Sequence, residues 1–443
     1  MERRTLLLQL FAAFVSAARP LRTQRGPNVV LIISDDHGWP DYGFMGHRHV
    51  RTPHLDRLAS ESMVYARGYV PSSLCRPSLA SMMTGLYPHQ HKMSGNDPQG
   101  DARDPENRAR MVRVFQRSKT VAGLLAERGY VSHQSGKWWE GECKCGGFTE
   151  CMTHGDVKRG GRHGDEGLKI GRETMQPIYD FVDRAGGKPF FIWYAPFLPH
   201  TPHNPPARLL PPYKDKGLGD ELAKYYAMCE WLDETAGQLL GYLDKKGLRE
   251  NTLVIFLADN GWVQTETPKS LVERRAKGSP YDAGLRTPIL LRWPGKIRPG
   301  RDEKTPVSSV DLAPTILAAC GLRREAAMPG VNLMDRERLR KREAIYGSIF
   351  VHTIPDPENP AAGLKYRWTV KDRWKLIVPY RPNAAMPMWF ASGGLAATSP
   401  GWSPEIELFD ILADPFERTD LASRHPDVIR SLEADLDRWW RPV

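Results

Sequence analysis

Cysteine is scarce in this chain: 443 residues hold six, Cys75, Cys143, Cys145, Cys151, Cys229 and Cys320. Four soft ligands at zinc-finger spacing are not among them. Beyond the N-terminus no apolar run is long enough to cross a bilayer, which argues against stable membrane insertion. Internal repeats are missing, and so are an aromatic RNA-binding box and a helix-turn-helix pattern. The basic residues are scattered and do not read as a nucleic-acid surface. What is present is ordinary for a folded protein: 41% hydrophobic and 26% charged residues, a balance that also argues against disorder. A chain of this length buries a large core, and one large domain with a smaller companion is expected. Lys and Arg exceed Asp and Glu by 62 − 52 = +10. Without residues 1–18, which carry Arg3, Arg4 and Glu2, the balance is 60 − 51 = +9. Such an excess favours anionic partners.

The chain opens MERRT, continues with the apolar run Leu6 to Val15, and then reads Ser16-Ala17-Ala18. A basic start, a short apolar stretch and small residues describe a signal peptide over residues 1–18. Arg3-Arg4 also resembles a twin-arginine signal. A secreted or periplasmic location is the expectation. In an exported protein Cys143, Cys145 and Cys151 could supply one disulfide. Cys229 and Cys320 stand in helix-like, apolar settings and are expected in the core.

Four apolar runs of strand length, Asn28–Ser34, Pro189–Ala195, Thr252–Ala258 and Pro288–Arg292, are rich in β-branched and aromatic residues. Helix candidates lie between them, at His54–Met63, Val121–Arg128, Met175–Ala185, Leu222–Lys246 and Asp311–Cys320. Continuous apolar strands alternating with helices predict an α/β fold, a large and mostly parallel or mixed sheet covered by helices on both faces. This domain is placed at residues 25–340. From about residue 341 to 443 the texture changes. Short strand candidates Ala344–Phe350, Tyr366–Lys371, Trp374–Val378 and Glu407–Ile411, a loop over Arg381–Pro404 and a helix over Pro426–Trp440 predict a small antiparallel sheet with one helix.

Two of the apolar strands end alike, one in Asp35-Asp36 and one in Asp259-Asn260-Gly261. In open parallel sheets ligands collect beyond the carboxyl ends of strands. Crowded carboxylates repel unless a cation sits among them, and hard oxygen donors suit Ca²⁺ or Mg²⁺. One such pair alone would be read as a cap for the next turn; two in matching positions favour a metal. Cys75 lies in PSSLCRPSLASMMTG, Pro71 to Gly85. Pro77 suits the first turn of a helix, so Cys75 falls at a helix N-terminus, where the dipole favours negative charge and lowers a thiol pKa.

The segment Cys75-Arg76-Pro77-Ser78 followed by Thr84-Gly85 resembles the signature of the formylglycine-dependent sulfatases, of the alkaline phosphatase-like superfamily. The resemblance implies that a maturation enzyme oxidises Cys75 to formylglycine, that the aldehyde hydrates, and that one oxygen of the diol attacks the sulfur of a sulfate ester. The alcohol leaves, and collapse of the second hydroxyl releases sulfate and restores the aldehyde. It further implies a Ca²⁺ or Mg²⁺ site of Asp35, Asp36, Asp259, Asn260 and the modified Cys75. Lys137, in Ser135-Gly136-Lys137-Trp138, and Lys277, in AKGSPYDAGLRTP, match the sulfate-binding lysines, whose cations would stabilise a transferring sulfuryl group. His200, in PHTPH, matches the histidine that serves the leaving oxygen, with His203 as second candidate. VDLAPTI and ELFDILADP resemble the family's late helix and C-terminal strand.

Two positions depart from the pattern. Leu79 stands where the signature has an arginine, and Arg76, roughly on the same helical face, is a candidate to replace it and to touch substrate. Trp139 stands where the family has a histidine, and His89, His91 and His133 are candidates for that role. These departures leave two rivals to a sulfatase acting on aryl or carbohydrate sulfates: a phosphonate or phosphodiester hydrolase on the same scaffold, and an inactive binder of sulfated glycans. The pocket rim is expected from loops Glu140–Asp165 and Gln264–Arg275.

Overall fold

The computed structural model describes residues 26–102, 104–265, 275–380 and 403–442. The signal segment 1–18, and most of the loops expected at Gln264–Arg275 and Arg381–Pro404, lie outside the described residues.

The larger sheet has eight strands, in the order Gly300–Asp302, Met63–Tyr65, Ile289–Arg292, Thr252–Ala258, Asn28–Ser34, Phe190–Ala195, Val131–Gly136 and Glu150–Cys151. Only Ile289–Arg292 runs against its neighbours; the other pairings are parallel. The continuous apolar run of Asn28–Ser34 has a direct physical reason. Side chains alternate between faces, and both faces are covered. Val29, Leu31 and Ile33 enter one core with Leu79, Ala80 and Met83 of the helix Cys75–Thr84. Val30 and Ile32 enter the other with Ala236, Leu239 and Leu243 of the helix Asp220–Lys245. Each Val, Leu, Ile or Met among these contributes about 1.5–3 kcal/mol on burial.

Three details differ from the sequence reading. The helix expected over His54–Met63 spans Pro53–Ser60, and Met63–Tyr65 is a strand. Val131–Gly136, VSHQSG, is an inner strand that polar composition concealed. Two of its buried polar side chains are satisfied, Ser135 Oγ donating to the Trp193 carbonyl at 3.1 Å and Gln134 Nε2 to the Gly136 carbonyl at 3.0 Å, whereas both ring nitrogens of His133 are buried without a hydrogen-bond partner. The short strands Glu150–Cys151 and Gly300–Asp302 lacked any apolar signal.

The second sheet is antiparallel, in the order Ile345–Phe350, Leu364–Lys371, Trp374–Pro379 and Glu407–Asp410. One face packs Leu376 and Leu408 on Leu432 and Leu436 of the helix Pro426–Trp439. The other face sends Ile345, Trp368, Val370, Ile377 and Phe409 into a core of the larger sheet. Cys143 and Cys151 form a disulfide, Cys145 is free, and Cys229 is buried. Cys320 is half-buried against the core. Among the described residues no helix is long and apolar enough to cross a membrane.

Candidate active site

Strand ends build the site. Asn28–Ser34 and Thr252–Ala258 pair in register to Ser34 and Ala258, so Asp35 and Asp259 emerge side by side at the carboxyl edge. Asp36 adopts a left-handed backbone, φ 57°, a conformation Asp tolerates better than most residues. Its N–H donates to Asp259 Oδ1 at 3.0 Å, and its Oδ1 accepts from Asn260 Nδ2 at 2.8 Å. The sheet thereby delivers four oxygen-bearing side chains to one place, all of them buried.

Cys75 enters from the helix Cys75–Thr84, whose N-cap is the extended Leu74. Ligand atoms of Asp35, Asp36, Cys75 and His200 all lie within 4.8 Å of one another. Asp259 and Asn260, expected as ligands, stand beside this group, bonded to Asp36, and His200 joins it. The helix N-terminus does not lower the thiol pKa as expected. Burial pushes Cys75 up to about 11, against the pull of Lys137 and Lys277. At neutral pH the side chain is therefore a protonated thiol and a poor nucleophile in its own right.

Lys137 follows the inner strand Val131–Gly136. Gly136 has φ 84°, and a Cβ there would stand 1.9 Å from the Ala195 carbonyl oxygen, so only glycine lets the chain turn Lys137 into the site. Its Nζ bonds Asp35 Oδ1 and lies 3.4 Å from Asp259 Oδ2. Lys277 Nζ is 2.6 Å from Asp36 Oδ1 and 2.8 Å from Oδ2. His200 Nε2 is 3.3 Å from Asp36 Oδ2, and Nδ1 is 2.6 Å from the Thr201 carbonyl. Burial lowers His200 to about 3, leaving it neutral at ordinary pH. His203 is farther out, packed by its ring on Tyr225 and Trp262 at 5.4 and 6.4 Å.

Three carboxylates meet two ammonium groups here, and the electrostatics register the imbalance. Burial, then the neighbouring Asp35, push Asp259 up to about 7. Burial also raises Asp35. Asp36 alone falls below the usual carboxylate range, because Lys277, His200 and Lys137 together outweigh its burial. Asp35 Oδ2 and Asn260 Oδ1 are buried without a hydrogen-bond partner. Two orphaned hard oxygen atoms amid excess negative charge fit a divalent cation.

Arg76 needs a correction as a substrate contact. Its Nε and Nη2 are 2.7 and 2.5 Å from the two oxygens of Glu140, and Nη1 is 3.4 Å from the Asn96 carbonyl. The guanidinium is buried and its donors are engaged within the protein, so it braces the nucleophile helix. Leu79, where an arginine was expected, is 4% exposed in the apolar core. None of the three histidines proposed to replace the one missing at Trp139 joins the cluster. His89 stacks on Trp440 at 4.4 Å, His91 bonds Ser81 Oγ at 3.0 Å, and His133 lies by Glu150 and Phe181. The sequence reading missed His163. Its ring lies 5.4 Å from both Trp139 and Phe197, and Phe197 is 4.2 Å from His200 and 5.7 Å from Lys137 Nζ. Its Nδ1 is buried without a partner. No spacing in the sequence ties it to Lys137; the loop fold does, through Trp138 N–H donating to the His163 carbonyl at 3.1 Å.

With this geometry in hand, likenesses to known proteins take on meaning. The Sulfatase family model matches residues 27–322, and that of the N-sulphoglucosamine sulphohydrolase C-terminal region matches residues 276–389. Arylsulfatase A of Homo sapiens is 29% identical over 490 aligned residues, which cover 97% of this chain and 89% of that protein. N-acetylgalactosamine-6-sulfatase of Canis lupus familiaris is 29% identical, over 72% of this chain and 66% of its own. The crystal structure of Ps i-CgsB in complex with k-i-k-neocarrahexaose shares the fold at a TM-score of 0.73 and 23% identity, covering 94% of this chain and 93% of that one.

Proposed function

The chain belongs to the sulfatase family of the alkaline phosphatase-like superfamily, hydrolases of sulfate esters, and we propose that it cuts aryl or carbohydrate sulfates with a formylglycine made from Cys75 and a bound Ca²⁺ or Mg²⁺. The observation that carries this reading is the convergence of Asp35, Asp36, Cys75 and His200 within 4.8 Å, flanked by Lys137 and Lys277.

Asp35, Asp36, Asp259, Asn260 and position 75 would hold the cation. Bound there, it supplies Lewis-acid polarisation of the sulfate oxygens and eases proton loss from the nucleophile. Formylglycine supplies the hydrated aldehyde. Lys137 and Lys277, here paired with carboxylates, are the cations that would bind the sulfuryl oxygens. Their positions, fixed by Gly136 on one side and by Gly278 N–H donating to the Ser73 carbonyl at 2.9 Å on the other, are preorganised for developing negative charge. The Thr201 carbonyl can only accept, so His200 Nδ1 carries a proton and Nε2 faces the site. In the neutral ring Nε2 is unprotonated, so it takes up the proton that the nucleophile loses and passes it to the departing alcohol oxygen.

The N-terminal segment 1–18 supports export, to the periplasm or outside the cell, before or along with action of a formylglycine-generating enzyme. Turnover of 4-nitrophenyl sulfate, measured with and without Ca²⁺ or Mg²⁺, tests the function. Wild-type protein from a host with the maturation enzyme should release sulfate, and Cys75→Ala should not. Full hydrolysis by Cys75→Ala would falsify the mechanism. No turnover, with tight retention of sulfated sugars, would favour the inactive binder.

A further inference from the structure

Beside the catalytic cluster, three donors surround one carboxylate. Arg162 grips Asp97, with Nε 2.9 Å from Oδ1 and Nη2 2.5 Å from Oδ2. Arg108 Nη1 stands 3.8 Å from Oδ1, and His352 Nδ1 is 3.7 Å from Oδ2. Two guanidinium groups against one carboxylate leave an excess positive charge with an imidazole beside it.

The group is tied to the catalytic segments from two directions. Asn96, next to Asp97, accepts from the N–H of Arg76, adjacent to Cys75, at 3.0 Å, and its Nδ2 is 3.4 Å from His352 Nε2. Trp139, two residues beyond Lys137, lies against both guanidinium groups, 4.9 Å from Arg162 and 5.8 Å from Arg108. His352 also lies within the field of Lys277. These contacts set the cluster beside the place where the sulfate ester reacts.

The cluster is a poor candidate for a merely structural salt bridge. Arg108 Nη1 and Trp139 Nε1 are buried and lack a hydrogen-bond acceptor, which is unfavourable for a purely structural contact. The side chains of Arg162 and His352, by contrast, are 39% and 53% exposed. A network that keeps positive charge in reach of solvent and leaves donors unpaired has capacity for an incoming oxyanion. Arg162 Nε and Nη2 are taken by Asp97, so its Nη1, with the His352 ring beside it, is what remains to donate to a carboxylate or sulfate.

We propose that Arg162 and His352, held on Asp97, form a subsite for a second anionic group of the substrate, so that the preferred substrate is a polyanionic saccharide bearing a further sulfate or a carboxylate near the ester that is cut. This inference rests on the sulfatase reading above and deepens it.

The test compares three probes: 4-nitrophenyl sulfate, a disulfated disaccharide, and a monosulfated disaccharide carrying a uronate. In Arg162→Ala, kcat/KM for the disaccharides should fall about tenfold or more relative to that for 4-nitrophenyl sulfate, mainly through KM. Arg162→Lys should recover part of the loss, and His352→Ala, at a more exposed position, should show a smaller fall of the same kind. A fall confined to the disulfated probe assigns the subsite to sulfate; one confined to the uronate assigns it to carboxylate. Calorimetric binding of both disaccharides to Ca²⁺-loaded Cys75→Ala protein, with and without Arg162→Ala, reads the subsite without turnover. Equal losses on all three probes, or disaccharide binding indifferent to Arg162, overturn the subsite and leave the sulfatase reading standing. Failure of the wild type to hydrolyse any probe overturns that reading instead, and the calorimetry then decides the subsite alone.

Discussion

Among the described residues, two of the buried clusters of charge are resolved by the fold in opposite ways. Where the small sheet meets the large domain, Lys375 Nζ is 2.7 Å from both Asp282 Oδ1 and Glu417 Oε1. Tyr69 donates to Asp282 Oδ2 at 3.0 Å, the Asp282 N–H donates to Glu417 Oε2 at 2.6 Å, and Arg286 stands 3.9 Å from Asp282. Two acids face two cations. At the strand ends three carboxylates, Asp35, Asp36 and Asp259, face Lys137 and Lys277, and Asp35 Oδ2 and Asn260 Oδ1 stay unpartnered. The balanced cluster fastens one sheet to the other; the unbalanced one fits the cation proposed above.

Exchanging the roles of the two clusters is the strongest way to break this comparison. Asp259→Ala or Asp36→Ala should reduce metal-dependent sulfate release by about a thousandfold or more and erase any rise in Tm on adding Ca²⁺, while the circular dichroism spectrum stays native. Lys375→Met should instead lower stability by about 3–5 kcal/mol, since it strands two buried carboxylates, and should keep the Ca²⁺ response. A calcium response lost in Lys375→Met and kept in Asp259→Ala would reverse the assignment.

The brace on the nucleophile helix ranks next. Glu140→Ala leaves the Arg76 guanidinium buried without its partner and should cost about 3 kcal/mol in denaturant unfolding; a loss under about 0.5 kcal/mol, as at an ordinary surface site, would show that the pair is dispensable. Leu79→Arg should raise the fraction of Cys75 converted in a host with a standard maturation enzyme, by restoring the recognised segment. Because Leu79 is buried in the core, the same change should lower stability by about 2–4 kcal/mol, and activity per converted molecule should not rise. Mass spectrometry of the conversion, set beside thermal melts, separates the two effects.

The smallest effect is a slope in pH. Burial raises Glu417 from about 4.5 to about 7, against the pull of Lys375. Between those values the folded state holds a proton that the unfolded chain has released, so the contribution is full below about pH 4.5 and is lost as pH rises through 7. Glu417→Gln should flatten this part of the stability profile. A profile identical to wild type would remove Glu417 from the balance.

Much of the fold was legible because its inner strands are buried on both faces and read as unbroken apolar runs, as at Asn28–Ser34 and Thr252–Ala258. Val131–Gly136 was hidden for the opposite reason: it is rich in polar side chains, and its serine and glutamine find their partners only once the chain is folded. The acidic strand ends and Cys75 were legible because each stands where a strand stops or a helix begins. Arg76 misled, since helical spacing says which face a residue occupies and nothing of Glu140, 64 positions away in sequence. The thiol pKa misled likewise: the dipole acts locally, while burial depends on the whole core. His163 could not be found at all by spacing, because a loop brings it to Trp139.

The proposed chemistry turns on what occupies position 75. Mass spectrometry of the peptide containing Cys75, from protein purified from its native host and shown to release sulfate, tests it most directly. The aldehyde's mass in place of the thiol's, in proportion to the activity of each preparation, is the expected result. Active protein whose Cys75 carries only an unmodified thiol would contradict it.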